Sequence, residues 1–135
     1  MGTVVRSEIT KKSEYYISKH RYYELKHFCM QYPEWKKKYE EMCAYIPGGS
    51  IIIKKETYDA NENRYFMRER YYDNIDLVES VASMTDPILG TYILKAVTEG
   101  YTYNYFKMNS NIPCCKDTFY KMYRKFFWIL SKRKN

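Results

Sequence analysis

The sequence lacks the features that would assign it to several common functional classes. It has no run of about 18 apolar residues, the length at which a helix begins to span a bilayer. Residues 1–8 include an acidic side chain and no apolar core, so we expect no secretory signal. No phosphate-binding glycine loop, HExxH motif or GxSxG motif is present. We therefore expect neither a membrane protein nor an enzyme.

Cysteine and histidine are too few and too widely spaced to suggest a metal site. The four cysteines and two histidines form no Cys-x-x-Cys or His-x-x-x-His pair, so we expect no metal and no other cofactor. The hydrophobic fraction of 45% is sufficient for a core without disulfides. We predict four free thiols in a reducing compartment such as the cytoplasm, at Cys29, Cys43, Cys114 and Cys115.

Acidic residues are almost absent from the last third of the chain. Residues 100–135 have eight basic side chains and a single acidic one, Asp117, whereas residues 59–99 have four basic and eight acidic side chains. The whole chain has a net charge of +7. A basic segment of this kind is typical of a surface that contacts a polyanion, and a solvated basic tail is the alternative.

Aromatic side chains are abundant, at 19% of the residues, and together with aliphatic ones they recur at helical spacing. In the first half of the chain, Ser18 is predicted to cap a helix over residues 19–30, and Pro33 to begin a second helix as its first residue. Residues 46–50 (IPGGS) are expected to break the second helix, and residues 51–53 to form an extended linker or a single strand.

The second half of the chain is predicted to be helical as well. A long helix is expected from Asp59 or Asn61 to about Thr85, because its apolar residues recur every three or four positions. A fourth helix is predicted to start at Pro87 and to end before Gly100, which suits a left-handed residue after a helix.

Two further helices complete the prediction. Thr102 is predicted to cap a short fifth helix, and residues 109–113 to end it, since an asparagine there can take the left-handed conformation at modest cost. A last helix is predicted to cover residues 116–131. The predicted fold class is all-α, a helical bundle with a C-terminal helix-turn-helix-like unit. The predicted division is an N-terminal helical region with a linker over residues 1–58, and the long helix with the C-terminal unit over residues 59–135.

The last two predicted helices, joined by a turn, have the arrangement of a helix-turn-helix unit. The final helix has one apolar face, formed by Phe119, Tyr123, Phe126, Phe127 and Leu130. Its opposite face can reach phosphates and base edges. The predicted DNA-binding residues are Lys116, Thr118, Tyr120, Lys121, Arg124 and Lys125 on this helix, with Asn104 and Lys107 on the preceding one. The alternative is a surface helix whose lysines serve solubility.

Several stretches resemble small regulators of Gram-positive phages and prophages. They are residues 92–103 (YILKAVTEGYTY), 111–114 (NIPC), 117–120 (DTFY) and, further upstream, 15–25 (YYISKHRYYEL). In these stretches the chain is similar to the RinA-type and ArpU-type late-gene transcriptional activators. The resemblance implies a C-terminal helix-turn-helix like the sigma-factor region that reads promoter DNA, in the cytoplasm of a bacterial host. It implies a recognition helix bearing Lys116, Thr118, Tyr120, Lys121 and Arg124.

The chain departs from this family pattern at the turn. Thr118 follows Ile112 by six residues instead of four, and Asn111 replaces the usual glycine. The predicted partner is double-stranded DNA, and the N-terminal region is expected to serve partner contacts or homodimer formation.

Two other functions remain open at this point. The first is a phage-encoded interaction protein that inhibits host machinery such as a CRISPR effector or RNA polymerase, since the 17 tyrosines would be good interface anchors. The second is a small terminase subunit, which would require a ring-shaped oligomer.

Overall fold

The computed structural model describes residues 14–52 and 58–134, and the side chains of residues 14–43 and 63–134. Every regular element within these ranges is a helix, so the predicted all-α class is confirmed, and the helices of the first of the two units described below pack as a bundle. The predictions for residues 1–13 and for Ile53 lie outside the described residues. The helices are α1 (Lys19–Cys29), α2 (Tyr32–Ile52), α3 (Tyr58–Thr85), α4 (Gly90–Glu99), α5 (Tyr103–Asn109) and α6 (Lys116–Arg133).

The chain forms two compact units, and the first of them consists of two separate segments of the sequence. The first unit consists of residues 1–31 and 78–135, and the second unit of Tyr32–Leu77. Helix α3 contributes its first part to the second unit and its last part to the first. The division predicted at residue 58 stays a prediction, since it adjoins residues 53–57, which lie outside the described ranges.

The predicted capping residues are confirmed at several helix ends. The hydroxyl of Ser18 accepts a hydrogen bond from the backbone N–H of Arg21 at 3.3 Å, and the hydroxyl of Thr102 accepts one from Tyr105 at 3.3 Å. These bonds satisfy N–H groups that have no partner within the helix. Gly100 ends α4 with a φ of 80°, a backbone conformation that glycine adopts without a steric penalty.

The predicted break of the second helix at residues 46–50 is wrong. Helix α2 continues through them to Ile52, and residues 51 and 52 are helical instead of extended. A glycine costs about 1 kcal/mol and a proline about 3 kcal/mol inside a helix, so these residues disfavour helical backbone without forbidding it. The helix also begins one residue earlier than predicted, at Tyr32, which places Pro33 in the first turn, where its missing N–H is not needed.

The predicted start of the fourth helix at Pro87 is three residues too early, because a turn precedes the helix. The carboxylate of Asp86 accepts hydrogen bonds from the backbone N–H groups of Ile88 at 2.9 Å and Leu89 at 2.7 Å. An aspartate that bonds to backbone this close in sequence stabilises a turn. Helix α4 therefore starts at Gly90.

Gly90 lies where the backbones of α3 and α4 approach most closely. A Cβ atom on Gly90 would lie 2.7 Å from the carbonyl oxygen of Ala82. We expect Gly90→Ala to lower the free energy of unfolding by about 1–3 kcal/mol, since the two helices must separate to admit the methyl group. Urea denaturation measures this loss. Thr91→Ala, at the next and exposed position of α4, is the control; a Gly90→Ala loss no larger than that of the control would contradict the close approach.

Helix α6 is the central element of the first unit. It contacts α1, α4 and α5. All five residues of its predicted apolar face are buried, so this prediction is confirmed. The largest fully buried side chains of the unit are Tyr22, Leu25, Ile93, Val97, Phe106, Phe119, Phe126, Phe127 and Leu130. Within the described ranges, no helix is both long enough and apolar enough to cross a bilayer.

Candidate nucleic-acid interface

Helix α6 is held from beneath by aromatic contacts with α1. The hydroxyl groups of Tyr22 and Tyr123 lie 3.2 Å apart in the core and share a hydrogen bond. The rings of Tyr22 and Phe127 meet edge to face, with their centroids 5.1 Å apart. A buried hydrogen bond between two tyrosines satisfies both polar groups, so the pair aligns α1 and α6 without leaving an unpaired hydroxyl.

The C-terminal end of α6 is capped by a side chain of α1. The guanidinium of Arg21 donates hydrogen bonds to the carbonyl oxygens of Ser131 at 3.2 Å and Lys134 at 2.6 Å, and it also pairs with Glu24 at 3.0 Å. A cation at this position satisfies carbonyl groups that have no partner within the helix and interacts favourably with the negative end of the helix dipole. The start of α1 therefore contacts both the middle of α6, through Tyr22, and its C-terminal end, through Arg21.

The connection between α5 and α6 is fixed by two hydrogen bonds of Tyr103. Its hydroxyl donates to the carbonyl oxygen of Cys114 at 2.7 Å, and its backbone N–H donates to the hydroxyl of Tyr120 at 3.4 Å. Asn111 adopts a left-handed conformation with a φ of 51°, as predicted for this turn. The connection covers residues 110–115 and is longer than the usual turn of a helix-turn-helix, about 3–4 residues.

The outer face of α6 carries a line of three cations. Successive residues of an α-helix are rotated by about 100°, so Lys121, Lys125 and Lys132 lie on one side, opposite the buried aromatic face. We call these three residues the lysine stripe. Lys121 and Lys132 are exposed and Lys125 is half-buried. None of them forms an ion pair with a carboxylate in the part of the chain that the structure describes.

A tryptophan lies within the lysine stripe. The Nζ of Lys132 is 4.6 Å from the centroid of the Trp128 ring, and the centroids of the Tyr15 and Trp128 rings are 5.4 Å apart. Trp128 therefore packs against the segment before α1 and at the same time orients one cation of the stripe. Sequence reasoning missed this role, although Trp128 stands seven residues after Lys121 and so on the same helical face.

The eight predicted DNA-binding residues differ in exposure. Tyr120, Arg124 and Lys125 are half-buried. Tyr120 differs most from the expectation that it contacts DNA. Its hydroxyl already accepts the hydrogen bond from Tyr103, and its ring packs edge to face with that of Phe119, with their centroids 4.9 Å apart. It holds α5 against α6. The exposed members of the set are Asn104, Lys107, Lys116, Thr118 and Lys121.

The basic charge of the chain belongs to the first unit as a whole. The sequence segments of this unit contain 15 basic and 7 acidic residues, whereas Tyr32–Leu77 contains 8 basic and 9 acidic residues. The sequence assigned the cations before residue 32 to a separate N-terminal region. The structure instead joins those that lie on α1, Lys19, Arg21 and Lys26, to the C-terminal cations, because α1 packs on α6.

The connection before α6 also contains two adjacent thiols. Cys115 is exposed at the N-cap of α6, and its sulfur lies 3.3 Å from the hydroxyl oxygen of Thr118. The hydroxyl of Thr118, which can donate a hydrogen bond to the thiolate, lowers the pKa of the Cys115 thiol. Partial burial and the neighbouring Cys115 raise the pKa of Cys114. Burial strongly raises the pKa of Cys29.

The thiols do not combine with other side chains into a metal site within the described residues. No group of three or more His, Cys, Asp or Glu side chains lies close enough together there to hold an ion. All four cysteines are free thiols.

Comparison with known proteins adds no assignment: no protein family, no curated protein and no solved structure gives a significant match to the chain. The chemistry of the site therefore rests on its own residues. A helix that is anchored on one side by buried aromatic rings and lined on the other by lysines without carboxylate partners is suited to contact with a phosphate backbone.

Proposed function

We propose that the protein is a phage-type, DNA-binding regulator of transcription that contacts duplex DNA through α6. The observation that carries the proposal is the lysine stripe, which faces away from the core on a helix whose opposite side is fully buried. Lysines that have no carboxylate partner can release the counterions of a polyanion on binding, and this release supplies most of the affinity for nucleic acid at moderate salt.

The exposed residues at the start of α6 provide a basis for reading sequence. Recognition helices contact base edges mainly with residues near their N-terminal end, and Lys116, Thr118 and Lys121 occupy that end of α6. The major groove, about 12 Å wide, admits one α-helix. In this proposal Lys116 and Thr118 reach base edges, and the lysine stripe (Lys121, Lys125 and Lys132) contacts phosphates along the helix.

Helix α5 would act as the supporting helix of a helix-turn-helix-like unit. Its exposed Asn104 and Lys107 are available for the DNA backbone on the side next to α6. The resemblance of residues 92–103 and 111–120 to RinA-type and ArpU-type activators supports the same interpretation. The connection at residues 110–115 departs from the usual turn length, so the angle at which α6 is presented would differ from that in shorter-turn regulators.

A salt titration tests the proposal directly. We expect the purified chain to bind a fluorescein-labelled duplex, with log affinity falling linearly with log salt at a slope between about −2.7 and −4.5, or about −0.9 for each of three to five phosphates contacted. Fluorescence anisotropy measures the affinity, and an unlabelled competitor of unrelated sequence separates specific from non-specific binding. Absence of binding at low salt, or a slope near zero, would exclude the proposal.

A second candidate is supported by a specific observation in the second unit. Tyr65, Phe66 and Tyr72 of α3 are exposed, and the guanidinium groups of Arg68 and Arg70 lie 5.4 Å and 5.8 Å from the rings of Tyr65 and Phe66 respectively. Exposed tyrosine and arginine are the residues enriched at the centres of protein interfaces. The candidate is an interaction protein that inhibits host machinery such as RNA polymerase or a CRISPR effector.

The two candidates differ in which variant is inactive. An inhibitor of RNA polymerase would block transcription by the purified enzyme from a template to which the chain itself does not bind. It would lose that effect on Tyr65→Ala with Tyr72→Ala. A DNA-binding regulator would keep its affinity for duplex DNA in this double variant, because the substitutions leave α6 untouched.

A further inference from the structure

We infer that Cys114 and Cys115 form a reversible redox site, in which a hydroperoxide converts the two thiols into a vicinal disulfide that disturbs the connection between α5 and α6. The effect on DNA affinity rests on the proposed function, whereas the chemistry and its effect on the connection do not. The inference depends on the adjacency of the two cysteines in sequence, on their different exposure and on the hydrogen bonds of their carbonyl groups.

The backbone of the two cysteines is held by the hydrogen bonds of both of its carbonyl groups. The carbonyl oxygen of Cys114 accepts the hydrogen bond from the hydroxyl of Tyr103 at 2.7 Å. The carbonyl oxygen of Cys115 accepts the first hydrogen bond of α6, from the N–H of Phe119 at 3.0 Å. Any change in the conformation of this dipeptide therefore acts on α5 through Tyr103 and on the first turn of α6 through Phe119.

The two thiols differ in the way that a stepwise oxidation requires. Cys115 is exposed, and the hydroxyl of Thr118 stabilises its thiolate. Cys114 is only partly exposed and remains a thiol, because burial and the adjacent sulfur both disfavour its charged form. Cys115 is therefore the residue that reacts first with an oxidant, and Cys114 is the residue that resolves the product.

The oxidation proceeds in two balanced steps. The thiolate of Cys115 attacks one oxygen of the hydroperoxide; an S–O bond forms, the O–O bond breaks, and the leaving alkoxide or hydroxide takes up a proton. The sulfur of Cys114 then attacks the sulfenic acid; the S–S bond forms, the S–O bond breaks, and hydroxide leaves as water with the proton of the Cys114 thiol. The two thiols lose two electrons, and the hydroperoxide is reduced to water and an alcohol, or to two waters.

The disulfide is expected to be strained and hence easily reduced. The Cα atoms of adjacent residues are about 3.8 Å apart across a trans peptide, whereas those of ordinary disulfides are separated by about 4.4–6.8 Å. The ring contains the Cα–C bond of Cys114 and the N–Cα bond of Cys115, so closing it constrains the ψ of Cys114 and the φ of Cys115, which is −87° in the reduced protein. Strained disulfides have higher reduction potentials, and these are the labile ones found in regulatory sites.

Ring closure would weaken the attachment of α5 to α6. Rotation of the Cys114 carbonyl removes the acceptor of the Tyr103 hydroxyl, and rotation at Cys115 disturbs the N-cap of α6. Lys116 and Thr118 lie directly after this point. We expect the affinity of the oxidised protein for duplex DNA to fall by about fivefold or more, the equivalent of one net hydrogen bond.

The test uses the full chain, reduced and then treated with hydrogen peroxide. We expect the intact mass to fall by two hydrogen atoms, and peptide mapping to assign the crosslink to Cys114 and Cys115. Cys114→Ser and Cys115→Ser should each abolish the crosslink, whereas Cys43→Ser should retain it. A disulfide between two chains, a crosslink that involves Cys29 or Cys43, or oxidation of Cys115 to a stable sulfinic acid without a crosslink would overturn the inference.

The consequences of oxidation are measured separately from DNA binding. Hydrogen exchange should report faster exchange for the amides of residues 103–119 in the oxidised protein, with recovery after treatment with a dithiol reductant. Unchanged exchange would overturn the structural effect. If the reduced protein does not bind DNA while the crosslink and the exchange change are observed, the proposed function fails and the redox site stands. If the reduced protein binds and oxidation leaves its affinity unchanged, the regulatory step is excluded.

Discussion

Charge reversal at Lys121 and Lys125 is expected to lower the affinity of the chain for duplex DNA by about hundredfold, or about 2.8 kcal/mol. Each substitution removes one phosphate contact and places a carboxylate beside the phosphate backbone. Lys121→Glu with Lys125→Glu therefore combines two lost counterion-release events with two repulsions. The salt slope should become shallower by about two, one for each lysine. Fluorescence anisotropy at several salt concentrations measures both quantities.

A matched control separates the position of the charge from its amount. Lys37→Glu with Lys38→Glu changes the net charge equally, at two exposed positions of α2 in the second unit. We expect this variant to bind DNA within about threefold of the unmodified chain, since neither lysine belongs to α6 and exposed charges outside the contact are largely screened at physiological salt. Equal losses in the two variants would mean that net charge alone drives binding, and the assignment of the lysine stripe would be wrong. Circular dichroism checks that both variants are folded.

Phe119→Ala is expected to reduce the free energy of unfolding by about 3–5 kcal/mol, a large part of the stability of a chain of this size. Phe119 is fully buried on α6. Its ring packs against the rings of Tyr103 and Phe106, with centroid distances of 5.7 Å and 5.9 Å respectively. Truncation removes the apolar area of one aromatic ring and leaves a cavity where α5 and α6 meet. Chemical denaturation followed by circular dichroism measures the loss.

The same substitution at an exposed phenylalanine is the control for this prediction. Phe66→Ala alters a side chain of α3 that is 57% exposed, and we expect a change of less than about 1 kcal/mol. A loss of less than about 1 kcal/mol for Phe119→Ala would mean that α5 and α6 are not packed through this ring. In that case the geometry of the connection, and with it the presentation of the lysine stripe, would have to be revised.

Much of the fold can be predicted from the sequence where the determining interactions are local. The caps at Ser18 and Thr102 depend on groups within three residues, and the left-handed residues Gly100 and Asn111 depend on backbone sterics alone. The buried face of α6 follows from the spacing of its aromatic side chains. The prediction of a break in the second helix is wrong, because the low helix propensity of glycine and proline is only a weak preference.

The candidate site was predicted only in part. The sequence identified the basic face of α6, since helical periodicity separates it from the aromatic face. It assigned Tyr120 to that basic face, whereas in the structure the hydroxyl of Tyr120 accepts a bond from α5. Whether a residue at the border between two helix faces is exposed or buried depends on the neighbouring helix. The spacing of residues within one helix contains no information about that neighbour.

The sequence by itself determined that the chain is helical, that its last helix has an aromatic and a cationic side, and which residues begin and end most of its helices. These properties follow from interactions between residues one helical turn apart. Only the tertiary structure decided that α1 packs on α6 through Tyr22 and caps it through Arg21, because these residues are 101 and 113 positions from their partners. Contacts across such distances depend on how whole helix faces fit together. This long-range packing unites the N-terminal and C-terminal cations in one basic unit.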